Sequence, residues 1–356
     1  MSVVGGELVK STWATRRLAP ELPIVWRSLG EVTAGDLLLC EVDRLGLHGR
    51  VETTSGSRRK LYAGDRIVCV LANRYATSLL EAVALVDGDH ADMISASGLC
   101  GRVVARAQKA SNPTVLRIVG QAFLGDKSLN LRSLPIAIPA PALGEPNWIV
   151  VVGSAMDSGK TTACAAIIRG LVEAGHSVGA VKVTGTASGR DFGSYVDAGA
   201  SPVLDFLDAG FASTAGCSAR EISEITDHLA AHVRAAGVEW GVVEIADGLL
   251  QPETRMLLDV IGRLLPQPEI VITARESLAA VAAVERMRPL GLNVAAVSGL
   301  LTNSPLVRRE AELAAGVSAV PTHDLGRWFA KRAARTARTA PSEAGRAVES
   351  LDTASP

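Results

Sequence analysis

An apolar run, Trp148-Ile-Val-Val-Val152, leads straight into Gly153-Ser154-Ala155-Met156-Asp157-Ser158-Gly159-Lys160-Thr161-Thr162, and helical spacing follows over 161–174. No other stretch constrains the fold as tightly. An apolar run without polar alternation reads as a strand buried on both faces. A glycine-rich turn from such a strand into a helix gathers the unpaired N–H groups of the helix's first turn, and the positive end of its dipole, at the carboxyl end of the strand. Polyphosphate is the ligand this arrangement fits best. Gly159 lets the backbone approach the phosphates, Lys160 sets a charge on the outer ones, and the Thr161 hydroxyl can ligand magnesium.

The texture on the two sides of this motif differs. After it, apolar runs at 177–183, 241–246, 269–273, 294–298 and 318–320 alternate with helical patterns at 221–235, 253–264, 278–287 and 306–315. That alternation predicts an α/β fold, a mostly parallel sheet flanked by helices. Before it, short runs at 37–42, 66–71, 115–119 and 129–134 are parted by turn residues and predict a small β-barrel or sandwich, with one helix at 79–84. Pro139, Pro141 and Pro146 mark a linker. The expected layout is a lead-in over 1–34, a β-rich domain over 35–138, the Pro-rich linker over 139–147, a P-loop domain over 148–333, and a flexible Ala-, Arg- and Ser-rich tail over 334–356.

A length of 356 residues suits two domains, and with only 4% aromatics the cores must be filled by small aliphatic side chains, which suits helices lying close on a parallel sheet. A net charge of −1 gives no support for nucleic acid or an acidic membrane as partner. Cys40, Cys69, Cys100, Cys164 and Cys217 form no Cys-x-x-Cys pair and read as scattered buried thiols in a reducing compartment. There is no signal-peptide pattern and no apolar stretch of the roughly 20 residues that span a bilayer, so a cytoplasmic location is expected.

Five residues separate Gly153 from Gly159, one more than in the commonest phosphate loop. In this the loop resembles that of the dethiobiotin synthetases, whose P-loop branch includes the cobyrinate amide synthases and the molybdopterin-guanine dinucleotide adaptor proteins. The resemblance covers roughly 149–320. It implies ATP (or GTP) and Mg²⁺ held by residues 153–162. Gly179-Ala-Val-Lys182-Val-Thr-Gly185 resembles the family's Lys-Pro-Val-x-x-Gly strand end, without its proline. This implies that Lys182 faces the substrate and the transferred phosphate and joins Lys160 as a catalytic group. Val242-Val-Glu244-Ile-Ala-Asp247-Gly248 resembles the family's Val-Glu-Gly strand end, with Ile245 in place of its glycine. Glu244 is the implied metal carboxylate and Asp247 the reserve. Asp191 and Asp197 both qualify as the further metal ligand. Asn303, in Thr302-Asn303-Ser-Pro305, stands where the family reads the base, and serves equally as a turn residue. A looser resemblance, through Gly185, Gly189 and the Asp-rich segment, is to the D-glutamate N-acetyltransferase-like P-loop family.

The resemblance implies an ATP- and Mg²⁺-dependent enzyme that activates or phosphorylates a small acid, a carboxylate or carbamate, in a ligase- or kinase-like reaction. A nucleotide-hydrolysing regulatory or adaptor protein, with the β-rich domain as a docking surface, is one alternative, and an acyltransferase on a P-loop fold is another. Members of the branch are commonly dimers, so a homodimer is expected. Two features stay open. Asp205 and Asp208 would share a helix face, either binding substrate or solvated. Asn73-Arg74-Tyr75 is either a recognition tip or a capped turn. His228 and His232, at i and i+4 with Asp227 beside them, have a spacing that can hold a transition metal, but without a His-Glu-x-x-His motif or a nearby cysteine they read as a polar helix face.

Overall fold

The computed structural model describes residues 2–4, 7–19, 21–140 and 144–339. Part of the 139–147 linker and residues 340–356 of the expected tail lie outside the described residues.

Strand Leu37–Arg44 buries both faces by simple alternation. Leu38, Cys40 and Val42 join Ile67, Cys69, Leu71, Ala91, Met93, Cys100, Leu116 and Ile118 in one core. Leu37 and Leu39 join Val68, Val70, Leu99 and Ala122 in another. The first core is the interior of a barrel. Arg66–Leu71 pairs antiparallel with Leu37–Arg44, which pairs with Thr114–Leu124; that strand pairs with His90–Ser95, which pairs with Leu99–Arg106. Leu99–Arg106 then returns to Arg66–Leu71 in parallel and closes the circuit. Inside it, the sulfur atoms of Cys40, Cys69 and Cys100 lie within 4.8 Å of one another. Thiols scattered in sequence are thus gathered in space, because each sits at an inward position of a different barrel strand.

The expected helix at 79–84 is a strand, Leu80–Val83, paired with Arg74–Ala76 and with Leu99–Arg106. Buried Leu80 and Ala82 alternate with exposed Glu81, a period of two over too few residues for a helix. The lead-in is also ordered: Glu7–Lys10 pairs in parallel with Arg66–Leu71, and Trp13 is buried.

The second sheet has six strands, all parallel, in the order Val203–Asp205, Val178–Lys182, Trp240–Glu244, Asn147–Gly153, Glu269–Thr273, Asn293–Ser298. Expected strand 318–320 is reduced to a single bridge, Val297 to Ala319. One face carries Ile149, Val151, Val242 and Val271 under helices Lys160–Glu173 and Leu325–Thr339. These helices touch at glycines: a Cβ on Gly170 would stand 2.3 Å from the Gly326 Cα. Leu325–Thr339 continues helical past residue 334, where a flexible tail is expected. The opposite face, with Val150, Val152, Val243 and Ile272, shares its core with the outer side of the barrel, through Val70, Leu99 and Leu131. Among the described residues, no helix is long and apolar enough to cross a membrane.

A buried ion cluster fastens the two sheets. Arg16 donates to Asp205 at 2.8 Å and to Asp208 at 2.9 Å. Asp205 ends an edge strand and Asp208 follows in a turn, so they share no helix and are not solvated, with 4% and 2% exposure. Burial opposes charge on Arg16, and the attraction of both carboxylates outweighs it and raises its pKa. Arg16→Ala leaves Asp205 without its cation and Asp208 with Arg17 alone, at 3.4 Å. It is expected to cost about 3–5 kcal/mol, the usual loss for a broken buried pair, read as a lower urea midpoint of unfolding.

Candidate functional site

Gly153 closes the central strand, and its Cβ position is filled: an added carbon would stand 2.4 Å from Ser158 Oγ and 2.8 Å from Lys160 Nζ. The loop turns through left-handed backbone at Asp157 (φ 58°) and Gly159 (φ 102°), and helix Lys160–Glu173 starts at once. The neighbouring strand pins the loop. Ser154 N donates to Thr273 O at 2.8 Å, and the Ser158 and Thr273 hydroxyls are 2.7 Å apart. Met156 is half-buried, while Ala155 and Thr162 face outward. Lys160 folds back over the loop and donates to Ala155 O at 3.0 Å and to Asp247 O. Burial lowers its pKa against the opposing pull of Glu244 and Asp247.

Two neighbouring strands end beside the loop. Val178–Lys182 delivers Lys182, and Trp240–Glu244 delivers Glu244. They are adjacent and in register, Lys182 opposite Glu244. Lys182 Nζ lies 3.2 Å from Glu244 Oε1 and is hydrogen-bonded to Asp191. Burial would depress its pKa, and attraction to the two carboxylates reverses this and raises it above the ordinary lysine value. Asp191 also accepts from the Thr161 hydroxyl at 3.2 Å. Burial pushes its pKa up, and Lys182 more than compensates and leaves it lowered. Glu244 accepts from the Tyr195 hydroxyl, whose own pKa burial raises.

Lys160, Thr161, Thr162, Lys182, Asp191, Glu244 and Asp247 therefore line one cleft of about 750 Å³ at the carboxyl ends of the parallel strands, where ligands of open α/β sheets bind. Of the two aspartates open in sequence, Asp191 lies in the cleft, in the first turn of helix Gly189–Ala198, and Asp197 is exposed on the same helix, outside the cleft lining. Asn303 ends a short 3₁₀ turn, exposed and also outside the lining, which reaches only Leu300 on that side. His228 and His232 lie with ring centroids 5.3 Å apart and tilted by 45° on helix Ala219–Ala235 and are not part of the cleft lining.

Two participants, Tyr195 and Glu52, escape sequence reading, and a third, Arg74, stands in a segment that the sequence leaves open between a recognition tip and a capped turn. Tyr195 orients Glu244 from the buried face of its helix. Glu52 of the β-rich region accepts from Gly189 N at 2.9 Å and so holds the start of the helix that carries Asp191. Arg74 lines the cleft from the barrel side. For Tyr195 the signal was helical phase, since it falls on the inward side when Asp191 faces the loop; for Glu52, 137 residues from its partner, no local signal exists.

The strand–loop–helix unit and the parallel sheet make this an α/β fold of the P-loop type. No protein-family model matches the chain, and no curated protein does. Among solved structures, it is similar to the signal recognition particle 54 kDa protein of Aeropyrum pernix K1 in complex with GDP, at 18% identity over 53% of this chain and 44% of that one, with a TM-score of 0.38. It is also similar to the cell division protein FtsY of Thermotoga maritima, at 17% identity over 55% and 71%, with a TM-score of 0.35. The signal recognition particle receptor FtsY of Elizabethkingia anophelis matches at 16% identity over 57% and 66%, with a TM-score of 0.32. The chain thus spans less than half of the first of these. Likeness at this level carries no functional argument.

Asp247 holds left-handed backbone, φ 64°, and burial raises its pKa against the pull of Lys160 and Lys182. With a folded-state pKa above the unfolded one, its ionised form at neutral pH costs stability. Asparagine tolerates that backbone and carries no charge. Asp247→Asn is expected to raise the unfolding midpoint at pH 7. The gain should shrink as pH falls through the folded-state pKa and vanish below about 4, near the ordinary aspartate value, in urea titrations of both proteins across pH.

Proposed function

We propose that this protein binds a nucleoside triphosphate with Mg²⁺ and cleaves its terminal phosphoanhydride bond. The observation that carries the reading is the convergence of Lys160, Thr161, Lys182, Asp191 and Glu244 on one cleft at the start of a helix. Lys160 now donates to two backbone carbonyls, and phosphate oxygens are stronger, charged acceptors for the same ammonium. Thr161, Asp191 and Glu244 present hard oxygen donors, the set that suits Mg²⁺, and Asp191 already touches Thr161. The ion supplies neutralisation of charge on the outer phosphates. The backbone N–H groups opening helix Lys160–Glu173 orient the phosphate chain. In the transfer, the bond from the terminal phosphorus to the bridging oxygen breaks and its electron pair stays on the diphosphate. A new P–O bond forms to the acceptor oxygen, whose proton, when the acceptor is water, passes to solvent.

Resemblance to the dethiobiotin synthetase branch supports a small carboxylate or carbamate as acceptor. Beyond Lys182 the cleft is walled by Thr186, Ser188, Arg190 and Ser194, polar groups with one cation, which suit such an acid. A regulatory nucleotide hydrolase is favoured by a different observation. The barrel strand Arg74–Ala76 borders the same cleft, so a change in the bound nucleotide is felt directly by the barrel. The two readings part on turnover: a regulator releases phosphate with water alone, whereas an acid-phosphorylating enzyme accelerates when its acceptor is added.

Calorimetric titration with ATP and with GTP, each with Mg²⁺, tests the common core. Binding is expected in the wild type and lost in Lys160→Ala. Thr161→Ala is expected to weaken binding with magnesium present and to leave the residual binding in chelator unchanged. A wild type that binds neither nucleotide sinks the reading.

A further inference from the structure

Arg74 stands in the short strand Arg74–Ala76 at the edge of the barrel sheet, opposite Ala82. An edge strand on a β-rich module commonly faces solvent. This one faces the phosphate cleft, which Arg74 and Ala76 line together with Lys160, Lys182 and Asp247. The strand is held there at both ends. On one side Asn73 Nδ2 donates to Ala215 O at 3.1 Å. On the other the Ser78 hydroxyl meets the Met156 sulfur, in the phosphate loop itself, at 3.4 Å.

The guanidinium is under-used for its position. One of its terminal nitrogens donates to Ile94 O, and its Nε is buried with no hydrogen-bond partner among the described residues. Burial disfavours its charge and lowers its pKa, and the charge opposing this is that of Asp247, whose backbone oxygen already receives Lys160. Its neighbour His48 answers this cation: burial, and then repulsion from Arg74, hold the imidazole down at about 4, so His48 is neutral near pH 7 and adds no second positive charge. A guanidinium with an unmet donor, lining the same cleft as the phosphate-loop lysine, is a site for an anion. Its rigid fork of N–H groups matches phosphate oxygens.

We propose that Arg74 is an arginine supplied in cis by the barrel, contacting the terminal phosphate of the bound nucleoside triphosphate as it is transferred. This rests on the nucleotide reading above. Charge spreads over the three outer oxygens of the phosphoryl group as its bond to the diphosphate breaks and its bond to the acceptor oxygen forms. A second cation on the cleft that Lys160 lines stabilises that spread. The barrel is then part of the catalytic apparatus, and Arg74 is the catalytic residue it contributes.

The test compares wild type, Arg74→Ala and Arg74→Lys as full-length chains. Three quantities are read: the dissociation constant of the magnesium triphosphate that wild type prefers, the turnover number for phosphate release, and capture of the diphosphate with aluminium fluoride. Urea midpoints establish that each variant is folded. The alanine variant is expected to bind triphosphate nearly as well as wild type, to turn over roughly 10³-fold more slowly, the usual scale for such an arginine, and to fail to capture aluminium fluoride. The lysine variant, folded and still cationic, is expected to recover little, because it lacks the fork. Unchanged turnover in Arg74→Ala, or full recovery in Arg74→Lys, overturns the assignment while leaving nucleotide binding intact. A wild type that binds but does not hydrolyse is judged on capture alone: loss in Arg74→Ala supports the assignment, retention overturns it. A wild type that binds no nucleotide removes the earlier reading and this one with it.

Discussion

A carboxylate at the end of a strand buried on both faces has to be balanced, or the strand cannot end there. Glu244 is 2% exposed, and an uncompensated charge at such a depth costs several kcal/mol. Lys182 from the neighbouring strand and the Tyr195 hydroxyl meet that requirement. Lys182, buried in turn, draws in Asp191. Tyr195 and Asp191 both sit on helix Gly189–Ala198, so the demand of one carboxylate fixes where that helix lies. The helix start is then held by Glu52, and its Phe192 ring packs edge-on against Trp13 at 5.5 Å. A charge requirement at one strand end thus runs through a helix into the β-rich part of the chain.

What the sequence made legible is what depends on near neighbours. The phosphate loop is one contiguous segment, and its strand, turn and helix each carry their own signal. Glu244 was legible because a carboxylate closing an apolar run has few bland explanations. The Asp191–Asp197 choice was not, because it turns on the phase of a short helix, and phase is set by which side packs on the sheet. Asp205 and Asp208 looked like one polar face because their partner, Arg16, is 189 residues from Asp205. The same distance blindness hid the cluster of Cys40, Cys69 and Cys100, which exists only once the barrel closes through the parallel pairing of Leu99–Arg106 with Arg66–Leu71. Segment 79–84 was misjudged for a smaller reason: six residues hold too little periodicity to separate a helix from a strand that borders a barrel.

The β-rich part invites description as an appended docking module, and its contacts argue otherwise. Loops that follow the carboxyl ends of parallel strands are ordinarily the exposed and variable parts of an α/β fold. Here the barrel and its lead-in cover several of them. Glu52 holds the backbone at Gly189, Asn73 holds it at Ala215, and Arg16 holds Asp205 and Asp208. Gly210 packs so close to the Leu131–Arg132 backbone that a Cβ would stand 3.0 Å from the Leu131 oxygen. Ser188 and Arg190, either side of Gly189, line the cleft, and Asp205 and Ser213 pair with Lys182 and Thr186, which line it too. Preorganised charge is worth most where its supports cannot move, and on this side the β-rich region adds supports to those that Glu244 and Lys182 already give. Lys160 and Thr161 are placed by their own strand and helix; Asp191 is placed by a helix whose first backbone N–H is tied to Glu52, in the two-stranded ladder of Arg50–Glu52 with Arg58–Lys60. The geometry of the site is therefore a property of both sheets together.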